Sequence, residues 1–253
     1  MTSTPEELIQ LSRELGRPER KLVIIGEGNS SLRVDDETFW VKASGHQMPS
    51  ITAEGFAQIR FEPILKMFDQ PPQTNTEQRE ALLAARVDKA HAVPSVETSF
   101  HAMLLHDCGV NCIAHTHPVA VNRLLCSAHA ETFAQQRIYP DEIVLCGPES
   151  VFVPYVDPGL PLAIEIRQRV QGYMDKVGEA PKVILLASHG LIALAQTTTE
   201  ALNITLMANK AADILWGALQ LGEVPFMSKE DVMHIYRRPD EIYRRKLFVD
   251  EGR

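Results

Sequence analysis

Two histidines one residue apart, His115 and His117, close the short apolar run Cys112-Ile113-Ala114 and lead directly into Pro118. In an extended segment residues i and i+2 point to one face, so both imidazoles can reach one ion. Neutral imidazoles at this spacing suit Zn²⁺, which at a catalytic site takes three protein ligands and keeps a position for substrate. Read alone, such a pair more often marks two histidines bonded to nearby carbonyls, so the metal reading needs a third ligand. Lys182 to Ala187 is a second short apolar run, and Ser188-His189-Gly190 follows it before the pattern resumes at Leu191-Ile192-Ala193-Leu194-Ala195. That spells two strands joined by a tight turn, with Gly190 supplying permissive backbone. His189 by itself would pass for a turn histidine with its ring in solvent. At a strand end, as His115 and His117 are, it completes a candidate facial set.

The elements that must position these groups are partly legible. Thr4 and Glu7 form a capping-box pattern with Pro5 at the first helical position, and Leu8, Leu11 and Leu15 mark one helix face up to Gly16. Val23-Ile24-Ile25 reads as a short strand, broken by the glycine- and amide-rich stretch Gly26 to Ser31. A loop of that kind can offer backbone N–H groups to an anion or a sugar oxygen, although a plain turn would look the same. Leu32 to Val34 and Thr38 to Lys42 flank Asp35-Asp36-Glu37, a hairpin signal. Residues 51–67 read as a helix capped by Thr52 and kinked at Pro63, and residues 76–90 as a surface helix. Ser95 is a good N-cap for a helix with Phe100, Leu104 and Leu105 on its apolar face. Glu97 then falls in its first turn, where an acid is common because it complements the helix dipole. Pro118 sets the start of another helix. Ile143 to Leu145 and Val151 to Val153 read as strands. Helices follow over 158–176 and 199–221, and a mostly helical tail runs from 228 to 248.

The chain has 253 residues, 45% hydrophobic and 23% charged, with net charge −8. That predicts one fairly large domain spanning 1–253, with a C-terminal helical tail from about 223. The negative balance argues against a large nucleic-acid surface. Cys108, Cys112, Cys126 and Cys146 include no C-x-x-C pair and read as core thiols in a reducing compartment. No apolar run approaches membrane-spanning length, and residues 1–7 show no leader pattern, so a cytoplasmic location is expected.

Gly28-Asn29-Ser30-Ser31-Leu32-Arg33, Ala43-Ser44-Gly45, Pro94-Ser95-Val96-Glu97, His115-Thr116-His117 and Ser188-His189-Gly190-Leu191 together resemble the class II aldolase/adducin family, over roughly residues 5 to 220. Five motifs in order are far more specific than any one of them. The resemblance implies an α/β/α sandwich around a largely antiparallel sheet. It also implies one Zn²⁺ per subunit on His115, His117 and His189, and a homotetramer with active sites at subunit interfaces. By the same resemblance Glu97 is the catalytic acid/base, and Gly28, Asn29, Ser44, Gly45 and Ser95 hold the substrate. His101, His106 and His129 match no motif and read as structural or surface. A tyrosine from a neighbouring subunit and one from the tail often close such sites. Tyr139 is the candidate for the first, and Tyr243, with Tyr236 as the alternative, for the second.

Cleaving a carbon–carbon bond beside a carbonyl leaves an enediolate, which a chelating zinc ion stabilises as a Lewis acid. A carboxylate near the metal moves the proton, and a tyrosine would handle the other fragment. The expected partner is a small sugar or sugar phosphate, with no nucleic acid and no membrane. Glutamate at 97, where the family's 4-epimerases resemble an aspartate version, favours cleavage over epimerisation. Ser95-Val96 stands where sugar-phosphate aldolases usually pair two serines. One missing hydroxyl weakens a phosphate site by about 1–3 kcal/mol, for which Ser30, Ser31, Lys42 or His46 could compensate. Decarboxylation of a 3-oxo sugar acid, epimerisation, and a non-catalytic adducin-like interaction domain are the alternatives.

Overall fold

The structure, a computed structural model, describes residues 4–250, with side chains as far as Leu247. Its strands are β1 Asn29–Arg33, β2 Thr38–Lys42, β3 Phe56–Arg60, β4 Cys112–Thr116, β5 Val151–Val153, β6 Val183–Leu186 and β7 Gly190–Ala195. They form one sheet in the order β3-β2-β1-β4-β7-β6-β5. Every pairing is antiparallel except β5 with β6. Helices α1 Glu6–Leu15, α2 Phe61–Asp69, α3 Asn75–Ala84, α4 Thr98–Asp107, α5 Val119–Leu125 and α6 Ala130–Gln135 are followed by α7 Pro140–Cys146, α8 Leu160–Val177, α9 Thr198–Leu221, α10 Lys229–Arg237 and α11 Pro239–Asp250.

Side chains alternate between the two faces of a strand, and here both faces are covered. Cys112, Ala114, Leu191 and Ala193 pack with Leu8 of α1, Val121 of α5 and Ile204 of α9. Ile113, Ile184, Ile192 and Leu194 pack with Ile64 of α2, Phe100 of α4 and Ile166 of α8. The result is the expected three-layer α/β/α sandwich on a largely antiparallel sheet. Helices α10 and α11 continue the chain against α7 and α9. Among the described residues no helix is long and apolar enough to cross a membrane.

Several local expectations give way to longer-range contacts. Residues 23–25 are not a strand: Ile24 and Ile25 are 68% and 73% exposed, and the strand begins instead at Asn29. Within 51–67 a third strand replaces half of the expected helix. Phe56 and Ile59 suit a helical period, but pairing with β2 from Lys42↔Phe56 to Thr38↔Arg60 decides the outcome. Pro63 then sits in the first turn of α2, where its missing N–H costs nothing. Ile143 to Leu145 belong to α7, which Pro140 starts and Gly147, at φ +81°, ends. Thr4 caps nothing; its hydroxyl donates to the Ala53 carbonyl at 3.3 Å. Of the four thiols, Cys126 is exposed rather than in the core.

Candidate metal centre

Strand β4 lies between β1 and β7, with His115 opposite Asn29 on one side and Ile192 on the other. Its ring faces α4 and meets Phe100 edge-on at 5.5 Å between centroids. His117 lies one residue past the strand, its N–H donating to the Leu22 carbonyl at 2.9 Å. His189 ends the turn between β6 and β7. The left-handed residue of that turn is Ser188, at φ +54°, and not Gly190. Gly190 is required for another reason: a Cβ there would stand 2.4 Å from the Thr116 carbonyl oxygen and 2.8 Å from Cδ2 of His117. The Asn122 amide of α5 donates to the His189 carbonyl at 3.0 Å and holds the turn down.

One ring nitrogen from each histidine lies within 4.8 Å of the others. Nε2 of His115 and Nε2 of His117 are 3.0 Å apart. Nδ1 of His115 donates to the Leu191 carbonyl at 2.9 Å, which leaves Nε2 turned inward. Nδ1 of His117 is 2.6 Å from Oε2 of Glu27, so its Nε2 also faces the centre. Three imidazoles converging from strand ends form a donor set that fits a divalent ion. The structure thus brings together the three histidines that the strand ends present.

Glu97 stands across from the triad. Its Oε1 is 3.5 Å from Nε2 of His115 and 3.3 Å from Nε2 of His189. It is the N-cap residue of α4 yet makes no side-chain cap bond, so the carboxylate serves the cluster and not the helix end. Ser95 is not that cap; its hydroxyl accepts from the Glu97 N–H at 3.3 Å within the preceding turn. Asn29 Nδ2 donates to Oε2 of Glu97 at 2.5 Å. Behind Asn29 lies His101, fully buried, whose Nε2–H donates to Oδ1 of Asn29 and whose Nδ1 accepts from the Ser31 hydroxyl at 2.7 Å. Asn29 therefore has both ends of its amide engaged, one by the carboxylate and one by an imidazole. His101 orients the asparagine that orients Glu97. Of the two readings of His101 open from sequence, structural or surface, the structure gives the first; the local signal is its place one helical turn after Glu97, on the same side of α4.

Burial alone would raise the Glu97 carboxyl, but the charges and hydrogen bonds of His115 and His189 outweigh it and hold the group well below the ordinary carboxylate range. Burial likewise opposes charge on His115, and Glu97 outweighs it, so this imidazole is shifted up. A metal ion would compete with protons for the triad nitrogens, so its affinity should weaken as pH falls. Burial, with His115 and His189 nearby, pushes His117 down to about 3. His101 is driven by burial from 6.5 to about 3. The unfolded chain takes that proton near pH 6.5 and the native ring refuses it, so this stability is full above pH 6.5 and is lost as pH falls toward 3. Between pH values of about 7 and 5 the group costs about 2 kcal/mol of unfolding free energy. Urea denaturation at both pH values should show a smaller drop for His101→Gln than for the wild type; equal drops would mean that the ring titrates normally.

The other expected site residues divide. Gly28, at φ +73°, has no room for a side chain: a Cβ would lie 2.9 Å from the His115 carbonyl oxygen. Ser30 and Ser31 point to opposite faces of β1, Ser30 to Ser12 of α1 and Ser31 to His101. Both hydroxyls are engaged, so neither replaces the missing phosphate ligand. Ser44 and Gly45 are exposed in the loop after β2. Lys42 is buried and donates to the Gly26 carbonyl at 3.3 Å. Burial lowers its pKa, and Glu97 works against that. The structure does not bring the tyrosines to the histidines within one chain. The Tyr139 hydroxyl donates to Sδ of Met207 at 3.0 Å, Tyr236 donates to Glu179 at 2.6 Å, and Tyr243 is 64% exposed. Glu27 was assigned no role from sequence.

The family model described as Class II Aldolase and Adducin N-terminal domain matches residues 6–216. A curated relative, the uncharacterized oxidoreductase YuxG of Bacillus subtilis (strain 168), is 26% identical over 216 residues. The match covers 82% of this chain but 29% of YuxG, so the chain spans under a third of that relative's length. Among solved structures, the N-terminal class II aldolase domain of a conserved protein from Thermoplasma acidophilum superposes with TM-score 0.67 at 24% identity, over 85% of this chain and 95% of that one. An L-fuculose 1-phosphate aldolase superposes with TM-score 0.69 at 17% identity, over 92% and 96%.

Proposed function

The chain belongs to the class II aldolase and adducin family, and from that membership we propose a zinc-dependent, cytoplasmic aldolase that cleaves a ketose or ketose phosphate. The observation that carries this reading is the carboxylate at the triad: Oε1 of Glu97 lies within 3.3 and 3.5 Å of two histidine nitrogens that themselves face the centre. An interaction domain has no need of a buried acid held against two of three converging imidazoles. A divalent ion on His115, His117 and His189 would supply a Lewis acid for negative charge developing on substrate oxygens.

The chain's own residues do the rest. Glu97 takes and returns the proton at the carbon next to the carbonyl, with Oε1 as the working oxygen because Asn29 occupies Oε2. The neighbouring histidines hold it ionised at neutral pH in the free protein, so in the cleavage direction it must first take up a proton before it gives one to the enediolate carbon. Lys42 binds an anionic end of the substrate. It is buried beside this site with one of its three donors on Gly26. The other fully enclosed cation among the described residues, Arg137, is spent on the carbonyls of Gly147 and Gln136 and on Ser150. In a homotetramer Tyr139 would reach a neighbouring subunit's site, and Tyr243 of the tail would help to close the site.

The test is a panel of ketoses, ketose phosphates and 3-oxo sugar acids, incubated with metal-loaded and chelator-stripped protein. Metal-dependent release of an aldehyde from a ketose supports the proposal. Release of carbon dioxide from an acid, or inversion without cleavage, would redirect it to decarboxylation or epimerisation. Full inertness across the panel would favour an interaction domain.

A further inference from the structure

The segment between Lys21 and Asn29 is built around a carboxylate. Glu27 Oε1 accepts from the Ile24 N–H at 2.8 Å, and the Glu27 N–H donates back to the Ile24 carbonyl at 3.2 Å. This closes the loop on itself. The other oxygen, Oε2, accepts from Nδ1 of His117 at 2.6 Å. The loop carries backbone strain: Ile25 is left-handed at φ +57°, a conformation that a β-branched residue avoids and that costs about 1–3 kcal/mol. It also leaves Ile24 and Ile25 largely in solvent. Strain and exposed isoleucines do not stabilise a loop, so something else holds it closed. Leu22 and Val23 anchor the start of the segment, in the core and through the His117 N–H on the Leu22 carbonyl at 2.9 Å; beyond them its side-chain contacts are the Glu27 carboxylate on His117 and the Lys42 ammonium on the Gly26 carbonyl.

The consequence falls on His117. Its ring has two nitrogens, and an acceptor on one fixes the proton there and presents the lone pair of the other. Glu27 holds the proton on Nδ1, and Nε2 is thereby aimed at Nε2 of His115, 3.0 Å away. His115 is oriented in the same sense by a neutral group, the Leu191 carbonyl. His117 is oriented by a charged one, which makes the imidazole a stronger donor and adds negative charge beside a cation. The side chain of His117 is 20% exposed and that of His115 is not exposed at all, so His117 is the ligand whose ring most needs a partner.

We propose that Glu27 is the positioning carboxylate of His117, and that through it metal binding and closure of the loop at residues 22–28 are coupled. This rests on the three-histidine metal centre. Coupling is reciprocal: if the closed loop tightens the metal, the metal must tighten the loop.

The test uses the full chain stripped of metal, titrated with Zn²⁺ and Co²⁺ against a chromophoric chelator. Glu27→Ala should weaken affinity about 10- to 100-fold, and Glu27→Gln, which keeps an acceptor but not the charge, should fall between it and the wild type. Hydrogen exchange supplies the second readout. In the wild type, metal should slow exchange in the peptide covering residues 22–28, and in Glu27→Ala that protection should vanish. Glu27 lies on a part-exposed loop, so far-UV circular dichroism of both variants should match the wild type. Wild-type affinity together with intact metal-dependent protection in Glu27→Ala overturns the inference and leaves the metal centre standing. A wild-type protein that binds no metal overturns both.

Discussion

Glu97→Gln is expected to lower turnover by about 10²–10⁴-fold while the fold and the bound metal remain. Glutamine is nearly isosteric and can still accept from Asn29, but it cannot exchange a proton at neutral pH. The competing explanation is that Glu97 is merely an acid at a helix start, worth about 0.3–1 kcal/mol through the dipole. The local geometry weighs against that: the residue makes no cap bond, and both of its oxygens are turned to Asn29, His115 and His189. Steady-state kinetics under conditions where chemistry limits the rate decide the matter. A turnover number within a few-fold of wild type would remove Glu97 from the mechanism. Its Oε1 faces the triad, so the same variant should weaken metal affinity modestly.

Loss of a triad histidine should have a different profile. Metal analysis of the purified wild type should find about one divalent ion per chain, and His115→Ala or His189→Ala should lose most of it. The two variants are informative together because their structural roles differ. His115 is fully buried on a central strand against Phe100, so its removal also leaves a cavity and a stability cost of about 2–5 kcal/mol. His189 sits part-exposed in a turn, where truncation disturbs little packing. Severe metal loss in His189→Ala with a near-normal melting temperature assigns the ring to the ion and not to the fold. Full metal retention in both variants would contradict the three-histidine centre.

How much of this was legible in sequence depended on range. The triad was readable because each histidine ends an apolar run, and a strand end is a local property of a few residues. Glu97 was readable only within its motif. The support behind it was not: Asn29 meets Glu97 across 68 residues, and His101 meets Asn29 across 72. No local pattern announces such pairings, because they arise from the β1–β4 register and from the packing of α4 on it. The same cause explains strand β3, whose residues carry a helical period until β2 pairs with them. Val23-Ile24-Ile25 failed as a strand for the opposite reason. Three apolar residues in a row suit a strand, whereas the loop leaves two isoleucines exposed and turns Glu27 inward to His117. The candidates for holding a phosphate narrow in the same way, since Ser30 and Ser31 are committed elsewhere and Lys42 remains as the buried cation.

The central claim is that three histidines and Glu97 together activate a C–H bond next to a carbonyl. It is tested most directly by solvent deuterium exchange into dihydroxyacetone and dihydroxyacetone phosphate, followed by NMR, because this half-reaction does not require the aldehyde partner to be known. The account predicts exchange that appears with added Zn²⁺ or Co²⁺, disappears with chelator, and falls about 10²-fold or more in Glu97→Gln. Exchange no faster than buffer with the metal-loaded wild type, or equally fast exchange in Glu97→Gln, would contradict it.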